Sequence, residues 1–180
     1  MNDGFDEKSV ERALHPAAYD DERLLKECAM SRGRGSGPGG QHRNKVQTQV
    51  TMTHTPSGVS ARAGERRESE VNKRIAIRRL RVELALKVRV EVPDGEIRSA
   101  LWRSRCKNQR VVCSVDHVDY SAMLAEALDV GRACGWDMKK AAVRLGVSMS
   151  QLVKLIAKHR AALVYLNEQR AQAGMHPLRG

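Results

Sequence analysis

The run Gly37-Pro38-Gly39-Gly40-Gln41-His42-Arg43-Asn44-Lys45 carries most of the information about the fold of this chain. It overlaps a stretch of ten residues, Arg32 to Gln41, that contains five glycines and one proline. Glycine loses the most backbone freedom when it is ordered, and proline has no amide hydrogen to donate. This composition therefore predicts a loop, and it excludes a regular helix or strand between residues 32 and 41.

The residues on either side of this loop predict a small antiparallel sheet. In residues 46–54 the apolar side chains share one parity, and the valine and threonine content favours a strand. Residues 55–58, Thr-Pro-Ser-Gly, predict a turn, and residues 59–63 a return strand that completes a β-hairpin. Residues 28–31, before the loop, form a short segment that is interpreted as a further strand.

Helical periodicity dominates the first half of the chain outside this sheet. Residues 68–90 carry apolar side chains three or four positions apart, with arginines repeated on another face. Pro93-Asp94-Gly95 ends that helix, and a shorter helix is predicted over residues 20–27. Residues 96–115 are interpreted as an irregular connector with a short helix.

Four helices are predicted over residues 116–180. Asp116 and Asp137 are expected to cap the first two, and Ser148 with Gln151 forms a capping box for the third. The chain is therefore predicted to be α+β. A small domain that contains Gly39-Gly40-Gln41, called the GGQ domain below, has a β-hairpin or sheet packed on a long helix. It is followed by a small all-α, helix-turn-helix-like domain. The expected division is a flexible leader (1–19), the GGQ domain (20–95), the connector (96–115) and the helical domain (116–180).

The charge distribution points to a polyanionic partner. The chain has 180 residues and a net charge of +11, and residues 31–90 hold 14 basic and 4 acidic residues, a net of +10. A nucleic acid bound there would gain affinity by release of counterions. A solvated basic helix face is the alternative interpretation. Aromatic residues make up only 3% of the chain, so RNA would be held through phosphates and shape and not by base stacking.

Composition also indicates which classes of protein the chain does not belong to. No apolar run approaches the length of about 18 residues that a membrane span needs, so no membrane association is expected. Residues 1–11 are acidic and polar and do not resemble a signal peptide, which favours a cytoplasmic protein. The four cysteines lack a C-x-x-C spacing and are interpreted as reduced thiols. No metal and no cofactor is predicted.

Residues 35–40 also match the dinucleotide-binding pattern G-x-G-x-x-G formally. That site needs a strand before the loop, a helix after it and an acidic residue about 20 positions further on. Here a strand follows the loop, and the residue 20 positions on is Ser60. A disordered RNA-binding segment, with arginines between glycines, is the better alternative.

The extended motif resembles the peptidyl-tRNA hydrolysis domain of class I peptide chain release factors and of their relatives that rescue stalled ribosomes. The family pattern is Gly-x-Gly-Gly-Gln-x-Val-Asn, followed after three residues by Ser or Thr. The matching positions are Gly37, Gly39, Gly40, Gln41, Asn44 and Thr48. The resemblance covers residues 20–90, about half of the chain.

This resemblance implies ribosome-dependent hydrolysis of the peptidyl-tRNA ester, with Gly39, Gly40 and Gln41 as the catalytic residues. The glycines let the loop approach the tRNA 3′ end closely. The family mechanism places the backbone N–H of Gln41 where negative charge develops, which is electrostatic catalysis of the oxyanion-hole type. The Gln41 side chain would select water as the nucleophile.

The resemblance also implies RNA contacts. Lys45, Arg67 and Lys73 match basic or polar family positions and are predicted to hold RNA phosphates, with Arg34 and Arg43 as additional candidates. Asparagine caps turns and helix starts well, so Asn44 and Asn72 are predicted to anchor the loop. His42 and His54 are interpreted as structural. The implied partner is the ribosome, through ribosomal RNA and peptidyl-tRNA, and a monomer is expected.

Departures from the family pattern narrow this expectation. Arg43 stands where the family usually has Val, and Gln49 replaces a small residue or Lys. Only about 20 residues precede the domain, so a stop-codon-reading region is not expected in the chain. Residues 161–180 hold only Arg170 and Arg179, unlike the basic tail of the small rescue hydrolases. Codon-independent rescue or quality control is therefore the predicted role.

Residues 137–159 resemble a helix-turn-helix, with Gly146 in the turn. Its candidate nucleic-acid contacts are Ser150, Gln151, Lys154 and Lys158. A plain helical bundle is the alternative interpretation of the same pattern. A DNA- or RNA-binding regulator that uses this domain is the competing function, and an RNA-binding module without catalysis is a third.

Overall fold

Three antiparallel strands form the main sheet, and they lie side by side in the order in which they follow along the chain. The computed structural model describes residues 13–33 and 48–180, so residues 34–47, with the GGQ motif, lie outside the described residues. The strands are Cys28–Gly33 (β1), Gln49–His54 (β2) and Ser60–Ala63 (β3). β1 extends through Arg32 and Gly33, where the composition predicted no strand, because both residues pair with β2. β2 pairs with β1 on one side and with β3 on the other, which confirms the predicted hairpin.

Strand β2 is buried on alternate residues. Val50, Met52 and His54 are buried and the residues between them are partly exposed, as the sequence parity predicts for a sheet with one covered face. Helix α2, Ser69–Lys87, covers that face with Leu80 and Leu84, which are fully buried. The predicted helix over 68–90 therefore exists and ends three residues early.

The remaining helices follow the predicted order. Asp20 caps the first of them, since its carboxylate accepts a hydrogen bond from the Arg23 amide at 2.8 Å. Asp137 and Ser148 also accept amide hydrogen bonds at helix starts, as predicted. The predicted capping box is incomplete, however, because the Ser148 amide donates to the Gln109 carbonyl and Gln151 Oε1 accepts from the Val111 amide. The helices are Asp21–Lys26 (α1), Ala100–Arg105 (α3), Tyr120–Ala133 (α4), Met138–Leu145 (α5), Met149–Ala157 (α6) and Arg160–Gln172 (α7).

The segment expected to be an irregular connector contains regular structure. Helix α3 is followed by a two-stranded hairpin, Cys106–Lys107 (β4) and Arg110–Val111 (β5). Its turn residues Asn108 and Gln109 have φ values of 48° and 61°. Two-residue hairpins need such left-handed conformations, and Asn-Gly is their usual sequence. Gln109 stands where glycine is usual, so the turn was not recognised from sequence.

Helix α4 begins later than predicted. Asp116 does not cap it, because its carboxylate forms an ion pair with Arg78 of α2, and the first helical residue is Tyr120. Asp119 occupies the N-cap position without a side-chain capping bond, since its carboxylate accepts hydrogen bonds from Arg105 at 2.6 and 2.8 Å. Long-range ion pairs override the local capping preference at both aspartates.

The end of the expected flexible leader is packed in the structure. Pro16–Ala18 forms a 3₁₀ turn, and Ala17 is buried. The His15 side chain accepts a hydrogen bond from the Ala17 amide at 3.0 Å through Nδ1, so its Nε2 donates to the Val88 carbonyl, 3.1 Å away. Arg81 donates to the carbonyl of Ala17 at 3.2 Å. These contacts tie residues 15–18 to α2 and its C-terminus, which the local sequence does not indicate.

The two halves of the chain share one hydrophobic core. A single cluster of buried side chains runs from the sheet through α2 and α4 to α6 and α7. The buried ion pair Arg89–Asp129, at 3.2 Å, lies at this junction, and Trp102 Nε1 donates to the Leu145 carbonyl at 2.9 Å. The α+β class is confirmed, and the expected boundary between sheet and helical parts runs through a continuous core.

Two further observations concern the described residues alone. None of their helices combines the length and apolar character that a membrane crossing requires. Cys28, Cys106, Cys113 and Cys134 are all free thiols. Burial raises the pKa of Cys106 to about 11, which keeps that thiol protonated at neutral pH.

Candidate functional site

The base of the GGQ loop is the part of the site that the structure describes. Gly33, the last residue of β1, pairs with Gln49, the first residue of β2. The segment between them therefore leaves the sheet and returns to it at directly opposed positions. Gly39, Gly40 and Gln41, together with Arg34, Arg43 and Lys45, belong to that segment and lie outside the described residues.

Asn72 holds the chain where it emerges from this loop. Its side chain is fully buried, and Nδ2 donates to the Thr48 carbonyl at 2.7 Å and to the Arg66 carbonyl at 2.8 Å. Its Oδ1 accepts from the Arg66 amide at 3.0 Å. A buried amide with partners on both ends fixes three segments relative to one another. These contacts confirm that Asn72 is an anchoring residue.

Gln49, one of the departures from the family pattern, packs against Gly64 at the end of β3. A Cβ atom added to Gly64 would lie 3.2 Å from both Cβ and Cγ of Gln49, which is tighter than an ordinary contact. The first residue of β2 therefore packs against a residue without a side chain, directly after the end of β3. A glycine at position 64 accommodates the longer Gln49 side chain beside the loop.

Basic side chains surround this loop base. Arg67 is exposed and Lys73 is half-buried, and neither pairs with a carboxylate of the described residues. Arg32 on β1 is half-exposed and lies 4.0 Å from Glu70, a weak surface pair. Arg79 is 2.6 Å from Glu65, and its hydrogen bond lowers the pKa of that carboxyl. Motif matching missed Arg32, which its place in a strand next to the loop would have indicated.

His54 has a structural environment. Its Nε2 lies 3.0 Å from Glu27 Oε2, and its Nδ1 lies 2.7 Å from Ser57 Oγ. This connects a serine, a histidine and a carboxylate, which the sequence did not indicate. Ser57 Oγ, however, also accepts a hydrogen bond from the Val59 amide in its own turn, at 3.4 Å. The three side chains hold the 55–58 turn to the end of α1, which agrees with the structural interpretation of His54.

The candidate helix-turn-helix contacts lie beside the hairpin β4–β5. Gln151 Oε1 accepts from the Val111 amide at 3.4 Å, and Lys158 Nζ donates to the Cys113 carbonyl. Ser150 and Lys154 are exposed, and Ser150 Oγ lies 3.1 Å from Ser148 Oγ. Two of the four predicted contacts therefore have partners within the chain. Sequence reasoning missed this because it did not identify the hairpin.

Comparison of the sequence with known proteins identifies a family to which part of the chain is similar. Residues 24–110 match the family model of the RF-1 domain. The match begins in α1 and ends in β5, so it includes the sheet, α2, α3 and the small hairpin, and it extends beyond the predicted limit at residue 95. The resemblance to the release-factor family is thus confirmed for this segment, which is a little under half of the chain.

Individual relatives carry release-factor names. The chain is 35% identical over 81 residues to the chloroplastic peptide chain release factor PrfB1 of Arabidopsis thaliana, which covers 42% of this chain and 18% of that protein. It is 49% identical over 43 residues to a peptide chain release factor homolog of Escherichia coli, and this match covers 24% of this chain and 21% of that protein. It is 43% identical over 63 residues to the mitochondrial peptide chain release factor 1 of Kluyveromyces lactis, and this match covers 35% of this chain and 16% of that protein. The matched segments thus span about a fifth of these curated relatives.

Proposed function

We propose that this chain hydrolyses the ester bond of peptidyl-tRNA on the ribosome and releases nascent chains in codon-independent rescue or quality control. The observation that carries the proposal is the extended motif from Gly37 to Thr48, in a segment that matches the RF-1 domain. The buried Asn72 supports it, because a loop held at its base can be placed accurately. Accurate placement of reacting groups is a large part of catalysis.

The proposed chemistry is attack of water on the ester carbonyl. The new C–O bond gives a tetrahedral intermediate with negative charge on the carbonyl oxygen. Its collapse breaks the bond to the ribose oxygen, which takes up the proton that the attacking water gives up. The backbone N–H of Gln41 stabilises the developing charge, and Gly39 and Gly40 allow the close approach. The Gln41 side chain selects water over larger nucleophiles.

In this proposal, basic side chains position the protein on RNA. Arg67 and Lys73 lie near the loop base without a carboxylate partner among the described residues, and Arg34, Arg43 and Lys45 flank the motif in sequence. Such contacts hold phosphates and set orientation without reading sequence. We also propose that the protein is cytoplasmic and monomeric and that it needs no metal or cofactor.

The competing function, a DNA-binding regulator, has less support. A helix-turn-helix reads DNA with residues near the start of its second helix. Here Gln151, near the start of α6, accepts a hydrogen bond from the hairpin, and Lys158 donates to the Cys113 carbonyl. A free base-reading surface is therefore not supported.

Peptide release from purified ribosomal complexes tests the proposal. Wild type and Gly40→Ala are compared on complexes with a stop codon, a sense codon or an empty decoding site, and released labelled peptide is measured. We expect wild type to act without a stop codon. Gly40→Ala should lose at least a hundredfold in rate, since one misplaced oxyanion donor costs about 3 kcal/mol.

Three results would contradict this expectation. Equal release by wild type and Gly40→Ala would remove the GGQ loop from the mechanism. Release only at a stop codon would replace rescue with codon-dependent termination. Hydrolysis of free peptidyl-tRNA alone would remove the ribosome from the proposal.

A further inference from the structure

Two segments outside the GGQ loop are basic and contain no acidic residue. Residues 97–115 hold five basic residues and no Asp or Glu, and residues 138–167 hold six and none. The segment between them, residues 116–137, holds five acidic residues, which masks this charge in any count over the whole C-terminal half. Each acid-free segment is a candidate for part of a polyanion-binding surface.

The fold brings these two segments into contact. The Ser148 amide donates to the Gln109 carbonyl at 3.1 Å, at the tip of the hairpin and the start of α6. Val111 and Cys113 then contact Gln151 and Lys158, so the chain after the hairpin tip lies along α6 for two turns. The two basic segments are therefore in contact from the hairpin tip to the end of α6.

Three exposed cations near this contact have no carboxylate partner among the described residues. Lys107 and Arg110 are cross-strand partners next to the turn, and both are exposed. Lys154 is exposed on α6, one turn beyond Ser150. None of the three cations pairs with a carboxylate of the described residues, whereas Arg105 in the same segment pairs with Asp119 at 2.6 Å. Lys107, Arg110 and Lys154, with Ser150, are called the hairpin surface below.

We propose that the hairpin surface binds the sugar-phosphate backbone of RNA, and that it gives this protein a second RNA contact besides the GGQ loop. The identification of that RNA as ribosomal rests on the proposed function. Three exposed cations without acidic residues in their segments would gain binding energy from phosphates by release of counterions. Half of the surface, Ser150 and Lys154, lies outside residues 24–110, so it is not part of the segment that matches the RF-1 domain.

The hydrogen bonds at the hairpin favour backbone contact over the reading of DNA bases. Base reading requires the first turn of α6 to reach the edges of the bases. The Ser148 amide and the Gln151 side chain instead hold the hairpin, and its tip lies against the start of α6. Lys107 and Arg110 then extend from that tip, where they can reach phosphates.

The test compares two triple variants of the full chain that lose the same charge. Lys107→Gln, Arg110→Gln and Lys154→Gln remove the hairpin surface. Lys26→Gln, Lys87→Gln and Arg179→Gln remove three exposed cations outside both acid-free segments. Binding to a fluorescent RNA duplex of about 20 base pairs is measured by anisotropy over a range of salt concentrations, and thermal unfolding checks that both variants are folded.

We expect the hairpin-surface variant to bind the duplex about tenfold more weakly or worse at low salt, and its salt slope to fall by about 2 to 3, close to one per lost phosphate contact. The control variant should keep the wild-type slope. Equal weakening of both variants would overturn the proposal, because net charge alone would explain it. Tighter binding to a DNA duplex of the same sequence would overturn it in favour of the DNA-binding alternative.

A second measurement separates this proposal from the proposed function. Ribosome binding is measured in a Gly40→Ala background, with and without the hairpin-surface substitutions. Loss of ribosome binding only with the substitutions supports the surface whether or not wild type releases peptide. Unchanged ribosome and duplex binding, in a protein whose wild type does release peptide, would overturn the surface and leave the hydrolase proposal intact.

Discussion

Asn72 shows how one side chain connects the long helix to the loop. It lies in the first turn of α2, and its amide bonds Thr48, directly after the undescribed loop segment, and both polar groups of the Arg66 backbone. All three hydrogen bonds are partly buried and Asn72 itself is fully buried, so removal of the side chain leaves backbone groups with reduced access to water. Asn72 therefore contributes to stability and to loop placement together.

We predict that Asn72→Ala lowers the free energy of unfolding by about 2 to 3 kcal/mol, because backbone groups of Thr48 and Arg66 lose their partners. Urea denaturation measures this. Peptide release should fall more than tenfold under conditions where the variant is still folded, since the loop base is no longer fixed.

Asn167 supplies the matched control. Its side chain also makes two hydrogen bonds to one backbone segment, donating to the Leu178 carbonyl at 3.0 Å and accepting from the Leu178 amide at 2.8 Å. Asn167→Ala should lower stability without changing release by the folded protein. If both variants lose release to the same degree, stability alone explains the loss and Asn72 has no specific role at the loop.

At the scale of elements, the hairpin β4–β5 is the least expected feature. Its strands are two residues long, too short for an alternating pattern, and its turn uses Asn-Gln with both φ values positive. It persists because α3 leads directly into it and because Ser148 and Gln151 supply hydrogen bonds from α6. The hairpin therefore depends on tertiary contacts more than on its own sequence.

We predict that Gln109→Gly stabilises the protein by about 0.5 to 1 kcal/mol, because glycine adopts the left-handed conformation without strain and Asn-Gly suits a two-residue turn. Urea denaturation measures the change. Ala173→Gly is the control, at a helix end where φ is −86°, and it should be neutral or destabilising. A loss of stability in Gln109→Gly would mean that the Gln109 side chain makes a contact worth more than the strain.

The features that sequence predicted and those that it missed differ in range. The buried parity of β2 and the caps at Asp20, Asp137 and Ser148 depend on neighbours within a few residues, so local patterns were enough. The predicted cap at Asp116 is wrong because Asp116 pairs with Arg78, which is distant in sequence and which a local pattern therefore does not reveal. The anchoring of His15 on Val88 has the same cause. The catalytic residues themselves came from motif resemblance, and their positions remain predictions.

At the scale of the whole molecule, the sheet and the helical part are joined by buried contacts. Helix α4 packs on α2, and Asp129 of α4 forms an ion pair with Arg89, two residues after the end of α2. The side chain is 7% exposed at Arg89 and fully buried at Asp129. Burial lowers the pKa of Arg89, and the nearby Asp129 carboxylate opposes that shift. Asp129 also accepts a hydrogen bond from the Val90 amide at 3.2 Å. A chain with this junction is expected to unfold as one unit.

We predict a single cooperative unfolding transition, in which circular dichroism and the fluorescence of Trp102 and Trp136 coincide. Asp129→Leu should move that transition as a whole, with a loss of about 3 to 5 kcal/mol, because Arg89 is left buried without its carboxylate partner. Exposed pairs such as Lys26–Glu22 contribute little, so Glu22→Gln is the control and should change stability by less than about 1 kcal/mol. Two separate transitions in the wild-type protein would contradict a continuous core. They would instead favour the separate helical domain over residues 116–180 that the sequence predicts.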